Sequence, residues 1–352
     1  MSLQEELVNE ILARLPAKSL LRFKNVERSW NTLFKTKSFI RRQKEMQMRS
    51  ASSHDRFIMF YHEVMTRTPT ITVLSTCYPP KYENLEYPLS DPTDYLVYLQ
   101  ALGHYNGIYC LRVLYFNGKF PDGPYLPETI LWNPTIREVR IIPPNPLAPT
   151  GRDFDSYSGF GASDSDTSLH FYYLYDFNTD SWSVIHDVRD NSIRFKTSFH
   201  DCGFYSNGVY HWLSSDYTFI LCFDFHSNKL RTIKTPLTTE YCTIIEANNC
   251  IAYLAYDTSD DQRIEIWYLK QDGSWIKQCN LTPVVNGGIC TILKDGAEFL
   301  GGPIYDVMTL YKSRPETPHD SRAEALRRFQ VLAEDGHFGI YPYVETIVPL
   351  SP

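Results

Sequence analysis

The sequence predicts a mainly β chain that opens with a small α unit: three short helices, then a roughly six-bladed β-propeller. Apolar residues recur at helical spacing in the first forty positions, and long helical stripes are hard to find after residue 50. Beyond that point, strand-like strings broken by Asn, Asp, Ser, Thr and Gly return every 44 to 48 residues. Composition agrees with many short strands joined by turns: 14% of the 352 residues are aromatic, with 25 tyrosines, and Gly and Pro punctuate the chain. At 43% apolar, the chain can fill one small unit and one large domain with a core, which excludes a disordered protein.

In the α unit, Leu7, Val8, Ile11, Leu12 and Leu15 fall at i, i+1, i+4, i+5 and i+8, with Glu5, Glu6, Glu10 and Arg14 on the other side. The early glutamates suit the positive end of a helix dipole. Pro16 stops this helix and Ser19 is placed to cap the next. Leu20, Leu21, Phe23, Val26 and Trp30 then start a second stripe that continues through Leu33 and Phe34 to Phe39 and Ile40. A unit of roughly forty residues is marginal as a lone core. This one offers neither cysteine nor a set of metal ligands, so it is expected to bury apolar surface against something else. The expected division is 1–45 for the helices, 46–55 for a small, polar linker, and 56–352 for the β domain.

Four hairpin-like strings build the β domain: ILWNPTIREVRII around Thr135, YLYDFNTDSWSVI around Thr179, ILCFDFHSNKLRTI around Ser227 and IEIWYLKQDGSWIK around Gly273. Each is an apolar strand, a turn, and a second strand. A second series precedes them, with tight turns at Asn106, Asn207, Asn248 and Asp295. Two hairpins per repeat make the four strands of a propeller blade. With FIMFYHEV and ITVLST as a partial first blade, and repeats near 106, 157, 207, 249 and 295, the count is about six. Tyr343 to Leu350 is expected to be the strand that closes the first blade, because a ring of blades otherwise leaves open edges.

Charge is unevenly divided. Residues 1–50 hold 11 Lys and Arg against 5 acids, about +6, which leaves about −13 on the remainder of a chain whose net charge is −7. The basic residues lie around helices without interleaved aromatics, so a solvated face or an acidic protein partner fits better than nucleic acid. The acidic body argues against nucleic acid too and suits a basic protein client. No stretch approaches the roughly 18 apolar residues of a membrane span, and the first residues are acidic and amphipathic, unlike a signal peptide. A soluble chain in the cytoplasm or nucleus is expected. The eight cysteines form no C-x-x-C pair and fall mostly in apolar runs, as reduced core thiols do; neither metal nor cofactor is expected.

The string EELVNEILARLPAKSLLRFKNVERSW resembles the F-box of plant F-box proteins at Leu15, Pro16, Lys18, Ser19, Leu20, Arg22, Phe23 and Trp30. The resemblance implies an element that docks on a Skp-type adaptor and thereby joins a cullin-based ubiquitin ligase. It implies adaptor binding by Leu3, Leu7, Val8, Ile11, Leu12, Leu15, Pro16, Leu20, Leu21, Phe23 and Trp30. The repeats are similar to the F-box-associated domain, whose motifs read NG-x-x-C-L, L-W-N-P-x-x-R-E, D-S-W, I-x-I-W and a closing Y-V-E. The pairing is similar to the S-locus F-box proteins of pollen, in which the second domain recognises ribonucleases of the pistil. The chain would then be a non-catalytic receptor that brings a client to the ligase by proximity. TSLHFYYLYDFN is shorter than that family's usual segment, which implies a reduced third blade.

Enzyme motifs are sparse. His200, Asp201 and Cys202 are adjacent, but neighbours on a strand point to opposite faces, so a thiolate and its base would not meet. The sequence holds no P-loop and no H-E-x-x-H, and GFGASD lacks the third glycine of a dinucleotide loop. The alternative is a propeller-based binding protein or enzyme unrelated to ubiquitin. It would draw on the acidic cluster Asp164, Asp166, His170, Asp187 and Asp190, which a solvated loop also explains.

Overall fold

A computed structural model of the chain describes residues 3–49, 56–63, 68–77, 79–89, 95–117, 128–144, 158–160, 167–170, 173–176, 179–184, 203–214, 216–247, 250–257, 263–282, 288–293, 297–304, 307–318, 320–331 and 333–350. Four helices stand where three are expected: α1 (Leu3–Ala13), α2 (Ala17–Phe23), α3 (Arg28–Leu33) and α4 (Lys37–Arg49). The second apolar stripe is divided among α2, α3 and α4 because Glu27 and Thr36 each start a new helix. The Glu27 carbonyl accepts the N–H of Trp30 at 3.2 Å, and that of Thr36 accepts the N–H of Ile40 at 3.0 Å. The Thr36 hydroxyl oxygen also accepts the Phe39 N–H at 3.3 Å, a side-chain cap. Ser19 does not cap α2. Pro16 precedes that helix with φ −56° and ψ 145°, and its carbonyl accepts the N–H groups of Ser19 and Leu20. α4 runs past residue 45 to Arg49.

The rest of the described chain is a β-propeller-like domain of six four-stranded groups, two of them joined. All four hairpins read from the sequence form antiparallel pairs: Glu128–Asn133 with Glu138–Ile142, Tyr173–Asp176 with Ser181–Val184, Phe219–Asp224 with Lys229–Lys234, and Ile264–Leu269 with Trp275–Thr282. The preceding turns at Asn106 and Asn207 also form. Asn106 and Gly107 lie at φ 51° and 79°, Asn207 and Gly208 at 51° and 82°. Positive φ at both central residues is the turn whose twist matches paired strands, and Asn-Gly accepts it at least cost. The third blade consists of strands of three and four residues, Ser158–Phe160, Thr167–His170, Tyr173–Asp176 and Ser181–Val184. The fifth and sixth blades form one eight-stranded sheet, because Asn280–Thr282 pairs in parallel with Asp320–Arg322.

The closure of the first blade differs from expectation. Its strands Arg56–Glu63, Pro69–Ser75 and Lys81–Asn84 are completed by Ala333–Pro342, and residues 343–350 form no strand. Pro342 has no N–H to give a ladder. Beyond it, after the Tyr343 N–H reaches the Arg56 carbonyl at 2.9 Å, backbone groups from Thr346 to Leu350 turn to side chains of the second blade, whose strands are Tyr95–Tyr105, Ile108–Asn117, Glu128–Asn133 and Glu138–Ile142.

The chain divides into two compact units. One holds the four helices, the first two blades up to Pro144 (residues 61–67 excepted) and residues 341–352; the other holds residues 61–67 and 145–340. In the first, Ile58, Phe60, Leu111, Ile130, Trp132 and Tyr343 share a core. In the second, Ile220, Cys222, Ile244 and Tyr253 belong to one cluster and Leu254, Ile264, Leu281 and Phe299 to another.

Candidate functional site

The helical unit sorts its apolar residues into two sets. Leu12 and Leu20 are buried with Ala13, Ala17, Phe34 and Phe39, and Val8, Leu15, Leu21, Phe23 and Trp30 pack half-buried against them. Leu7 and Ile11 stand 58% and 62% exposed, and Pro16 is exposed. Leu3 begins α1, and its side chain lies outside the described residues. The structure thus brings together the inner part of the predicted adaptor set and leaves Leu7 and Ile11 to solvent. Val26, between α2 and α3, is 69% exposed and belongs with them by character, although its place in a continuous stripe hid it in the sequence. Exposed aliphatic side chains of this size on so small a unit cost solvation unless a partner covers them. Polar groups brace the same unit: Glu10 pairs with Arg14 at 3.0 Å and with Arg42 of α4, and these guanidiniums hold its carboxyl below the usual range.

Ile347, from the segment after Pro342, completes the helical core beside Leu12 and Leu20. Its neighbours are held by the second blade. The buried Asn133 amide donates to the carbonyls of Thr346 at 3.3 Å and Val348 at 2.8 Å, while its oxygen accepts the Thr135 N–H at 3.0 Å. The Thr135 hydroxyl oxygen accepts the Thr346 N–H at 3.2 Å, Glu138 accepts the Leu350 N–H at 2.7 Å, and Arg140 donates to the Leu350 carbonyl at 3.4 Å. The W-N-P-T-I-R-E string and the Y-V-E-T-I-V string are therefore two halves of one contact. A chain of charges runs beside it: Lys18 of α2 to Glu83 at 2.8 Å, Glu83 to Arg56 at 3.5 Å, and Arg56 to Glu345 at 2.9 Å. The Arg56 guanidinium also lies 4.6 Å over the Tyr343 ring.

Elsewhere, groups capable of chemistry are committed to packing. Cys110, Cys222 and Cys242 are buried, whereas Cys77 and Cys250 are exposed, unlike the core thiols expected. His211 and Cys222 are cross-strand partners, but burial pushes the thiol up to about 12 and the imidazole down to about 4, so the pair holds no thiolate at neutral pH. His200, Asp201, Cys202, Asp164, Asp166, Asp187 and Asp190 lie outside the described residues, as does the side chain of His170. Among the described residues, no three His, Cys, Asp or Glu gather as around a metal ion, and no helix is long and apolar enough to cross a membrane.

Buried neutral His211 makes stability depend on pH. Its folded pKa lies below the unfolded value of 6.5, so the unfolded state takes up the proton first as pH falls. The stabilisation is present above about pH 6.5 and is lost towards pH 4, by up to about 3 kcal/mol at about 1.4 kcal/mol per pKa unit. Chemical denaturation at pH 7 and pH 4.5 should show a smaller loss for His211→Gln than for the parent. An equal loss would remove His211 as the cause.

Comparison with known proteins places these features. The F-box domain model matches residues 1–42, and the F-box associated beta propeller domain model matches residues 126–301. The chain is 24% identical to F-box protein ETP2 of Arabidopsis thaliana, over 96% of this chain and 90% of that one. It is 23% identical to an F-box/kelch-repeat protein of the same plant, over 66% of this chain and 61% of that one. Among solved structures, the beta-propeller domain of the Trilobed protease from Pyrococcus furiosus aligns with 67% of this chain and 71% of its own, at 11% identity and a TM-score of 0.34, too distant to add to the fold.

Proposed function

Because the chain belongs to the F-box proteins that carry an F-box associated beta propeller domain, we propose that it is the substrate receptor of a cullin-based ubiquitin ligase. In this reading the helices hold a Skp-type adaptor, the adaptor joins the cullin, and the β domain holds a client protein. The chain itself performs no bond chemistry. It raises the effective concentration of client lysines at the ubiquitin-bearing end of the complex. The observation that carries the proposal is the pair Leu7 and Ile11, exposed on α1 inside the residues that match the F-box model. Pull-down of the full chain with a recombinant Skp-type adaptor tests it. A parent chain that captures no adaptor would sink it.

The client is proposed to be a cationic protein, such as the ribonucleases of the pollen recognition system to which the sequence bears likeness. The net charge of about −13 outside residues 1–50 supports this. Charge of this kind speeds encounter more than it sets final affinity. Association of the full chain with a basic ribonuclease should therefore slow several-fold between roughly 50 and 500 mM salt, as screening shortens to a few ångströms. An on-rate indifferent to salt would remove the electrostatic argument. Three acidic, small-residue loops that the sequence offers for such contact, 90–94, 162–168 and 257–262, lie largely outside the described residues.

A further inference from the structure

Residues 343–350 touch both the element proposed to hold the adaptor and a blade of the domain proposed to hold the client. Ile347 lies in the helical core with Leu12 and Leu20, and the carbonyls on either side of it, those of Thr346 and Val348, accept hydrogen bonds from Asn133 of the second blade. Along with Thr135, Glu138 and Arg140, that blade serves backbone groups of Thr346 and Leu350. From the helical side, Lys18, Glu83, Arg56 and Glu345 form a continuous run of ion pairs that ends on the same segment. A segment needed only to finish the first blade would stop at Tyr343, whose N–H reaches the Arg56 carbonyl at 2.9 Å.

We propose that residues 343–350 are a strap that fixes the direction in which the helices leave the first two blades, and that Asn133 is its positioning residue. The inference deepens the receptor reading, on which its functional meaning rests: client lysines reach the ubiquitin donor only if the two ends of the receptor keep a set orientation. Two hydrogen bonds from one buried amide suit this role. They hold two carbonyls in register, and a residue of another shape leaves both unserved in a buried place. Ile347 between them is then aimed at the helices by the backbone on both sides.

The test uses the full chain with spin labels on non-canonical residues in place of Arg41 of α4 and Ile141 of the second blade, both exposed. Pulsed EPR should give one narrow distance peak for the parent. Asn133→Ala, and separately a chain ended at Tyr343, should widen it at least twofold. A synthetic peptide of residues 343–352 should narrow it again in the shortened chain. A peak as narrow as the parent's in both variants overturns the strap. So does loss of hydrogen-exchange protection across residues 99–113 in the shortened chain, since the segment would then be core of the blade. Asn133→Ala should capture a Skp-type adaptor at the parent level, because Asn133 is outside the residues proposed to meet it. A parent that captures none defeats the ligase reading and leaves the distance measurement to decide the strap.

Discussion

Ile11→Asp should abolish capture of a Skp-type adaptor while leaving the thermal unfolding of the chain where it was. Ile11 is 62% exposed, so a carboxylate there stays solvated in the free chain and costs the fold little. In the complex, the same carboxylate would be enclosed by an apolar partner without a counter-charge, which costs about 3 kcal/mol or more, roughly a hundredfold in affinity. Leu7→Asp should behave alike. Leu12→Asp is the contrast: Leu12 is 3% exposed in the helical core, so the charge must be buried or the helices must open, and unfolding and adaptor capture should fail together. Titration calorimetry and a melting curve for each variant separate the two. Ile11→Asp with undiminished capture would move the adaptor face away from α1.

Gly107→Ala should lower stability by about 3 kcal/mol or more, and Gly208→Ala by only about 1 kcal/mol, although the two glycines occupy matching Asn-Gly turns. Their φ values are 79° and 82°, so the strain of placing a side chain in the left-handed region is shared. What differs is the space. A Cβ on Gly208 meets nothing within 4 Å, whereas on Gly107 it would lie 2.1 Å from the Val344 carbonyl oxygen and 2.9 Å from Cγ2 of Thr346. Those neighbours belong to the strap, and backbone yields poorly. Urea unfolding of both variants checks this, and equal losses would mean that the segment moves aside freely.

That pair of glycines also shows what the sequence discloses. Asn106-Gly107 and Asn207-Gly208 were legible as hairpin turns because the turn needs two positive φ values and those residues supply them locally. The blade period and the interruption at Pro16 were legible for the same reason: short-range stereochemistry leaves its mark on neighbouring residues. The facing of α1 was not. Leu7, Ile11 and Leu12 fall in one apolar stripe, and only the packing of Ala13, Phe34 and Phe39 decides that Leu12 turns inward while the other two do not. Tyr343 to Leu350 alternates like a strand, yet backbone groups of Thr346, Val348 and Leu350 bond to side chains some 210 residues away. No local signal announces a partner at that separation. Asn133 and Glu345 stood in recognisable strings, but a string does not name what its side chain will hold.

The distance between Leu12 and Ile347 along the chain has a bearing on synthesis. A ribosome adding about 5–20 residues per second needs roughly 15–70 seconds to pass from one to the other. Throughout that time α1 to α4 exist with one position of their core vacant, because the side chain that fills it has not been made. Helices assembled early are thus sealed late. A message cut short anywhere in the blades would yield the first forty residues without Ile347, so the core of the helical unit is complete only in a chain that has been translated past residue 347.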